Sequence, residues 1–291
     1  MNSIIQILQH WGLDNAVVTP IMTENTIEQT TWDIDGIYIL KRYRNIGDLS
    51  QGVRFTELLT PHKIPVVAFI PTKDGQLTSP DGLHCLMTKL PGKHADFYRE
   101  PHLAVEMGRE LARLHVALSD VESKIECYDS NLLEDWQKKI MPSLSGFPDE
   151  AVKKVDSFFC EAYHKLPRQL IHRDVHLYNV LFDKGCLSGW LDFDIGQRNV
   201  RIFDIAYLLT GLLIGNIHEP EKVKTWYKVC SELLRGYDEV NLLSKDERNA
   251  LPVLMILIEF LFVWFWNERG NKEQRDIAGE LAEWLYENEI F

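Results

Sequence analysis

Three residues whose side chains could handle a phosphate and a metal ion stand close together in the second half of the chain. Asp174 lies within the segment Ile171–Leu181, Asn179 follows five residues later, and Asp192 follows thirteen residues after Asn179. Transfer of a phosphoryl group to a hydroxyl needs a carboxylate near the attacking oxygen and oxygen ligands that hold magnesium against the phosphates. Asp174 could be the catalytic base, and Asn179 and Asp192 the magnesium ligands.

The segments around these residues predict loops next to a short hairpin. Val180–Phe182 and Leu187–Leu191 are typical of strands, and Lys184-Gly185 between them is typical of a tight turn. An aspartate five residues before an asparagine, just ahead of a hairpin, resembles the catalytic loop of protein kinases and their relatives. Asp192, within Leu191–Asp194, stands where those enzymes carry their metal-binding aspartate.

A lysine and a glutamate nearer the N-terminus extend this resemblance. Lys41 ends a predicted strand, in which it shares one face with Ile37 and Ile39 because side chains alternate along a strand. Glu57 follows sixteen residues after Lys41, within the predicted helix Leu49–Leu59. In the kinase fold a lysine at such a position neutralises the α- and β-phosphates, and a glutamate holds the lysine in place. The resemblance therefore implies that both residues belong to a nucleotide site.

Over nearly its whole length the chain resembles the aminoglycoside phosphotransferase and choline kinase family, which also includes homoserine and methylthioribose kinases. The segments that carry this resemblance are Gly108–His115, His172–Leu181, Leu191–Asp194 and Phe203–Ala206. The resemblance implies a protein-kinase-like fold, ATP and Mg²⁺ as cofactors, and a small-molecule hydroxyl as the phosphate acceptor. It also implies an adenine pocket in which Met87 lines the cavity, while the Thr88 carbonyl and the Leu90 N–H meet the base edge.

The order of the predicted elements gives an α+β protein of two lobes. Residues 1–90 predict an antiparallel sheet with one helix, in which Asp35-Gly36 is a hairpin turn and the apolar run Val66–Pro71 is one of the strands. These residues are expected to form the N-terminal nucleotide-binding lobe. A hinge is expected near residues 87–93. Residues 91–291 predict the C-terminal lobe, which is mainly helical and holds the catalytic and substrate sites.

The spacing after Asp192 favours a small acceptor over a protein. Asp204 follows Asp192 by only twelve residues, too few for the long activation segment on which a protein kinase docks its peptide. His176 also stands where protein kinases usually have lysine. Aminoglycosides, choline-like amines, homoserine and sugar derivatives all fit the catalytic residues equally well, so the substrate stays open.

Two alternative functions remain at this stage. The expected phosphate-covering loop, Thr23–Gln29, contains no glycine, which makes close backbone approach to the phosphates less easy. The chain could therefore be a kinase-like nucleotide-binding or structural protein with little catalysis. Phosphorylation of proteins is the other alternative.

Two further acidic residues have expected roles. Asp204 is expected to accept hydrogen bonds from the backbone of the catalytic loop rather than to bind a metal. Glu259 lies among aromatic residues and could hold a cationic amine. Phe260 and Trp264 are one helical turn apart, however, and the pattern favours a stripe that faces the core.

Composition excludes several classes of protein and partner. The chain has 291 residues and a formal charge of −12, which would repel a nucleic-acid backbone. Its five dispersed cysteines favour neither a disulfide framework nor a structural zinc site. The apolar run Leu251–Trp266 is shorter than the roughly 20 residues of a membrane span, so we expect a buried helix. The N-terminus lacks a basic segment followed by a long apolar core, so we expect a cytoplasmic protein without a signal peptide. The oligomeric state stays open.

Overall fold

The computed structural model of the chain describes residues 2–21 and 30–288 and divides into two compact units. The first unit takes in residues 1–93, 181–184 and 188–195, and the second takes in the rest. The predicted phosphate-covering loop, Thr23–Gln29, lies outside the described residues. The nucleotide-binding and catalytic roles expected for the two parts of the chain stay predictions.

The first unit contains an antiparallel sheet with one long helix, as the sequence predicts. Its elements are α1 (Asn2–Leu8), β1 (Val18–Pro20), β2 (Thr31–Ile34), β3 (Tyr38–Arg42), α2 (Ile46–Leu59), β4 (Phe69–Ile70) and β5 (His84–Thr88). The five strands pair in the order β1-β2-β3-β5-β4. The turn between β2 and β3 is the predicted one, with Asp35 and Gly36 both at positive φ (56° and 71°).

Both faces of this sheet are covered. Leu40 and Leu86 pack with α1 through Leu8 on one face. Cys85 and Met87 pack with Leu49 of α2 on the other face. Because side chains alternate along β3, Lys41 lies on the opposite face from Leu40.

Two predicted boundaries in this unit were wrong. Helix α2 begins at Ile46 rather than at Leu49, because Asn45 caps it by accepting a hydrogen bond from Asp48 N (2.9 Å). The apolar run predicted as a strand from Val66 to Pro71 is strand only at Phe69–Ile70.

The second unit is mainly helical, again as predicted. Its long helices are α3 (Leu103–Val121), α5 (Asp149–Glu161), α6 (Ile202–Leu213), α7 (Pro220–Asp238), α8 (Lys245–Glu268) and α9 (Lys272–Glu287), with a short α4 (Leu132–Asp135) that continues into a π-turn. Strands β6 (Arg168–Ile171) and β9 (Gln197–Val200) pair antiparallel. The predicted hairpin, β7 (Val180–Asp183) and β8 (Cys186–Trp190), belongs mostly to the first unit, which takes in residues 181–184 and 188–195.

Helix packing in this unit depends on two glycines. Helices α3 and α7 can cross closely because Gly108 and Gly236 lack a Cβ. A Cβ on Gly108 would overlap the carbonyl of Leu233, and one on Gly236 would overlap the carbonyl of Val105. Among the described residues, α8 is the one helix long and apolar enough to cross a membrane by length and composition. Its residues 254–260 are all buried, and it packs against α5, α6 and α9. This agrees with the buried helix that we expected.

Candidate active site

The loop that holds Asp174 connects β6 to a short 3₁₀ helix, Leu177–Asn179. Its backbone is fixed by Asp204 of α6, which is fully buried. Asp204 Oδ2 accepts a hydrogen bond from His172 N and Oδ1 accepts one from Arg173 N, each at 2.9 Å. The expectation that Asp204 supports the catalytic-loop backbone is therefore confirmed. His115 of α3 completes this arrangement, with Nε2 at 3.1 Å from Asp204 Oδ2.

The carboxylate of Asp174 has hydrogen-bond donors on both oxygens. Tyr207 of α6 donates its hydroxyl to Oδ1 (2.9 Å), and Asn179 donates Nδ2 to Oδ2 (3.0 Å) and to the main-chain oxygen of Asp174 (2.9 Å). His176 Nε2 lies 3.4 Å from Oδ2. Burial alone would raise the pKa of Asp174, but the contacts with His176, His172 and Tyr207 outweigh burial and hold the pKa well below its usual range. The carboxylate is therefore ionised at neutral pH.

The predicted phosphate-contacting lysine has two carboxylate partners. Lys41 Nζ lies 2.8 Å from Asp192 Oδ1 and 2.8 Å from Asp194 Oδ2, and it lies over the Tyr43 ring. Burial would lower the pKa of Lys41, but the two carboxylates outweigh burial and raise it. Burial and the like charge of Asp192 raise the pKa of Asp194 above its usual range, against the opposing effect of Lys41.

The structure does not bring Glu57 to Lys41, which corrects the role expected for this glutamate. The Glu57 side chain is 59% exposed, and its carboxylate lies 3.8 Å from Arg54 on the same helix. The part of α2 that meets Asp194 is instead Gln51-Gly52. Gln51 Nε2 donates to the Asp194 carbonyl at 2.8 Å, and a Cβ on Gly52 would lie 3.1 Å from Asp194 Oδ1. Asp194 therefore occupies the space in which a helix residue was expected to hold the lysine.

The three residues expected around the adenine lie at the end of β5. Met87 is buried and pairs with Ile39 of β3. Thr88 is the last residue of β5, and its hydroxyl accepts from Ala68 N at 2.9 Å. Leu90 follows two residues later, and its side chain contacts Gly189 so closely that a Cβ on Gly189 would clash with it. Their contacts with a nucleotide stay predictions.

The oxygens on the predicted magnesium ligands suit that ion. Asn179 uses its NH₂ group for Asp174, which leaves its Oδ1 as an acceptor without a hydrogen bond among the described residues. Asp194 Oδ1, two residues from Asp192, is buried and has no hydrogen-bond partner in the described part of the chain. Carboxylate and amide oxygens are the ligands that Mg²⁺ prefers. Asn179 in one unit and Asp192 in the other therefore each carry the kind of oxygen that the predicted ion takes.

Glu259 does not form the amine site that was considered for it. Its side chain on α8 is buried, and neither carboxylate oxygen has a hydrogen-bond partner among the residues that the structure describes. Burial raises its pKa to about 8. Phe260, its neighbour, is fully buried against Trp136 and Phe147, as the core stripe predicts.

Sequence reasoning missed two contacts of the site. Tyr207 lies three residues after Asp204, and residues at this spacing share a helix face, so the two were predictable as neighbours. Asp194 and Asp192 both reach Lys41 because Asp192 has φ 61°, a left-handed conformation that alternation along a strand does not predict.

Comparison with known proteins identifies the family. The model of the phosphotransferase enzyme family matches residues 23–228, more than two thirds of the chain. The chain belongs to this family. It is therefore a small-molecule kinase, a phosphotransferase with an alcohol acceptor.

Individual members of the phosphotransferase family and solved structures agree with this assignment. The chain is 28% identical over 244 residues to a homoserine kinase of Granulibacter bethesdensis, which covers 80% of this chain and 74% of that protein. It also resembles the solved aminoglycoside 2'-phosphotransferase-IIIa in its GDP complex (TM-score 0.71, 14% identity, 99% of this chain and 98% of that one). A similar likeness is to the amicoumacin kinase hAmiN with AMP-PNP and Ca²⁺ (TM-score 0.69, 17% identity, 94% and 89%). These likenesses confirm the protein-kinase-like fold.

Proposed function

We propose that this protein transfers the γ-phosphate of ATP to the hydroxyl of a small amino alcohol or hydroxy amino acid, with homoserine as the first acceptor to test. The carrying observation is Asp174, an ionised carboxylate whose two oxygens are oriented by Tyr207 and Asn179. Homoserine comes first because the relative from Granulibacter bethesdensis is named a homoserine kinase. Aminoglycosides and sugars stay in the panel because an aminoglycoside phosphotransferase shares the fold.

Asp174 orients the acceptor hydroxyl and takes its proton as the oxygen attacks the γ-phosphate. Each oxygen of the carboxylate keeps a lone pair beyond its protein donor, so one can accept from the substrate hydroxyl. The low pKa of Asp174 makes it a weak base. It therefore acts mainly by positioning the nucleophile and receives the proton late in the reaction, when the attacking oxygen has become acidic.

The remaining residues bind the nucleotide and its metal. Lys41 contacts the phosphates, and Asp194 keeps its ammonium in place. Asn179 and Asp192 would hold Mg²⁺, which supplies positive charge against the phosphate oxygens when bound. Binding of AMP-PNP and Ca²⁺ by the amicoumacin kinase supports the choice of ATP and a divalent cation. A cytoplasmic location stays a prediction.

The test is a coupled assay of ADP production with ATP or GTP and a panel of homoserine, amino alcohols, sugars and aminoglycosides. Asp174→Asn should reduce kcat by about 10³-fold, because a positioned general base contributes 10²–10⁴-fold. Calorimetry should show that Mg-ATP binding changes by less than about threefold, since Asp174 contacts the acceptor.

The matched control is Asp183→Asn, an exposed aspartate of β7, which should keep full activity. Comparable turnover by wild type and Asp174→Asn would refute the role of Asp174. Binding of Mg-ATP without turnover of any acceptor would favour the kinase-like binding protein, and transfer to protein would favour a protein kinase.

A further inference from the structure

Arg173, next to the proposed base, has an unusual backbone conformation. Its φ is 76°, in the left-handed region that favours glycine, and its N–H is held there by Asp204 Oδ1. Strained residues of this kind persist only where the surrounding structure fixes them, and they cluster at functional sites. A glycine at this position would avoid the strain, so the arginine side chain needs a reason of its own.

The side chain of Arg173 lies against two aromatic rings. Its guanidinium carbon is 4.6 Å from the centroid of Phe203 and 5.8 Å from that of Tyr207. Among the described residues, no carboxylate or other acceptor hydrogen-bonds to this guanidinium, although the chain carries 43 acidic residues. Stacking covers the flat face of a guanidinium and leaves its N–H edges free, and these edges match a carboxylate in a bidentate pair.

Tyr207 connects this cation to the proposed base. The same tyrosine that lies beneath the guanidinium donates its hydroxyl to Asp174 Oδ1 at 2.9 Å. The guanidinium and the catalytic carboxylate therefore both border the Tyr207 side chain. An acceptor that lies along Tyr207 could therefore meet Asp174 with its hydroxyl and Arg173 with an anionic group.

We propose that Arg173 binds a carboxylate of the acceptor, which makes the substrate a hydroxy acid or hydroxy amino acid. This inference rests on the proposed function and narrows its substrate class. Choline-like amines and aminoglycosides carry no carboxylate for this guanidinium to bind. A hydroxy amino acid offers both the oxygen for Asp174 and the anion for Arg173.

The experiment compares two acceptors that differ only in the carboxylate. L-homoserine and 3-amino-1-propanol share the hydroxyl, the amine and the chain between them. In Arg173→Gly we expect kcat/KM for homoserine to fall about 30-fold, mainly through KM, because a charge-assisted bidentate pair is lost. For 3-amino-1-propanol and for ATP, the same constants should change less than about threefold.

Arg173→Gly is chosen because it should fold. Relief of the left-handed strain offsets the lost stacking and the greater freedom of glycine in the unfolded chain, so its Tm should stay within about 4 °C of wild type. Arg173→Lys keeps the positive charge but loses the paired N–H donors of the guanidinium, so it should retain more homoserine activity than Arg173→Gly. Lys184→Gly, at another left-handed position (φ 50°) in the β7–β8 turn, is the control for the backbone change and should match wild type.

Several results would overturn the proposal. Equal losses for both acceptors would mean that Arg173 only shapes the loop, and a raised KM for ATP would mean that it contacts a nucleotide phosphate. A wild-type enzyme that phosphorylates aminoglycosides, sugars or amines in preference to hydroxy acids would refute the proposal but leave the proposed function intact. Wild-type protein that turns over no acceptor would remove both.

Discussion

Replacing Asp204 by asparagine should be costly, although the two side chains have nearly the same shape. Asp204 is fully buried and uses both oxygens, one for Arg173 N and one for His172 N and His115 Nε2. Asparagine keeps one oxygen and replaces the other with an NH₂ group that faces a donor. At least one backbone N–H of the catalytic loop is then buried without an acceptor.

The expected loss in the free energy of unfolding is about 3–5 kcal/mol. A hydrogen bond to a charged acceptor contributes about 1.5–3 kcal/mol, and a buried unsatisfied donor costs about 1–3 kcal/mol more. Total stabilities of about 5–15 kcal/mol make this a large share, which denaturant unfolding followed by circular dichroism will measure. We also expect kcat to fall more than the KM for ATP rises, because the change acts on the loop that carries Asp174.

Asp96→Asn is the matched control for Asp204→Asn. Asp96 also caps backbone amides, but a single oxygen, Oδ1, accepts from both Tyr98 N (3.0 Å) and Arg99 N (3.3 Å), and the side chain is 49% exposed. Its asparagine keeps both bonds and should cost less than about 1 kcal/mol. A cost below about 1 kcal/mol for Asp204→Asn as well would refute the reasoning that the buried aspartate holds the loop.

Three further predictions concern the neighbours of the site. Asp194→Asn should raise the KM for ATP about tenfold in steady-state assays, because Lys41 loses one of its two charged partners. Glu57→Gln should change this KM less than about twofold. A larger effect of Glu57→Gln than of Asp194→Asn would mean that Glu57 holds Lys41 after all. Tyr207→Phe should lower kcat about tenfold with Tm nearly unchanged, since the ring remains and one hydrogen bond to the base is lost; full activity would refute that contact. Glu259 has a pKa raised to about 8 by burial, so the folded protein holds this proton more tightly than the unfolded chain. The stability that this proton contributes is complete below about pH 4.5 and is lost as the pH rises through 8. In denaturant titrations, Glu259→Gln should therefore lose less free energy of unfolding than wild type over this pH range. Parallel pH profiles of the two proteins would contradict this prediction.

The sequence predicts best those parts of the site that are local. Asp174 and Asn179 lie in one short segment, and the hydrogen bonds between them join residues five apart. The β2–β3 and β7–β8 turns are likewise marked by Asp35-Gly36 and Lys184-Gly185, which lie at positive φ as turn residues should. Residues a few positions apart can contact each other in only a few ways, so their spacing largely determines the contact.

Contacts between distant segments were harder to predict, and Lys41 is the clear example. Its partners, Asp192 and Asp194, lie about 150 residues further along the chain. The direction of a helix side chain changes by about 100° per residue, so an expectation for Glu57 depended on an orientation that the sequence leaves open. Gly52 has no side chain and leaves room for Asp194. This contact joins two distant segments, so it cannot be predicted from either segment alone.

The two loops that carry the proposed chemistry share a feature that links stability to activity. Arg173 and Asp192 each lie two residues after a strand end, at Ile171 and Trp190, and each has a left-handed backbone. Such residues cost free energy that neighbouring contacts must offset, Asp204 for Arg173 and Lys41 for Asp192. A left-handed residue turns the chain sharply, which places the side chains after it where an extended strand would not. Loss of either contact should therefore both destabilise the protein and misplace a reacting group, so stability and turnover should fall together in variants of these contacts.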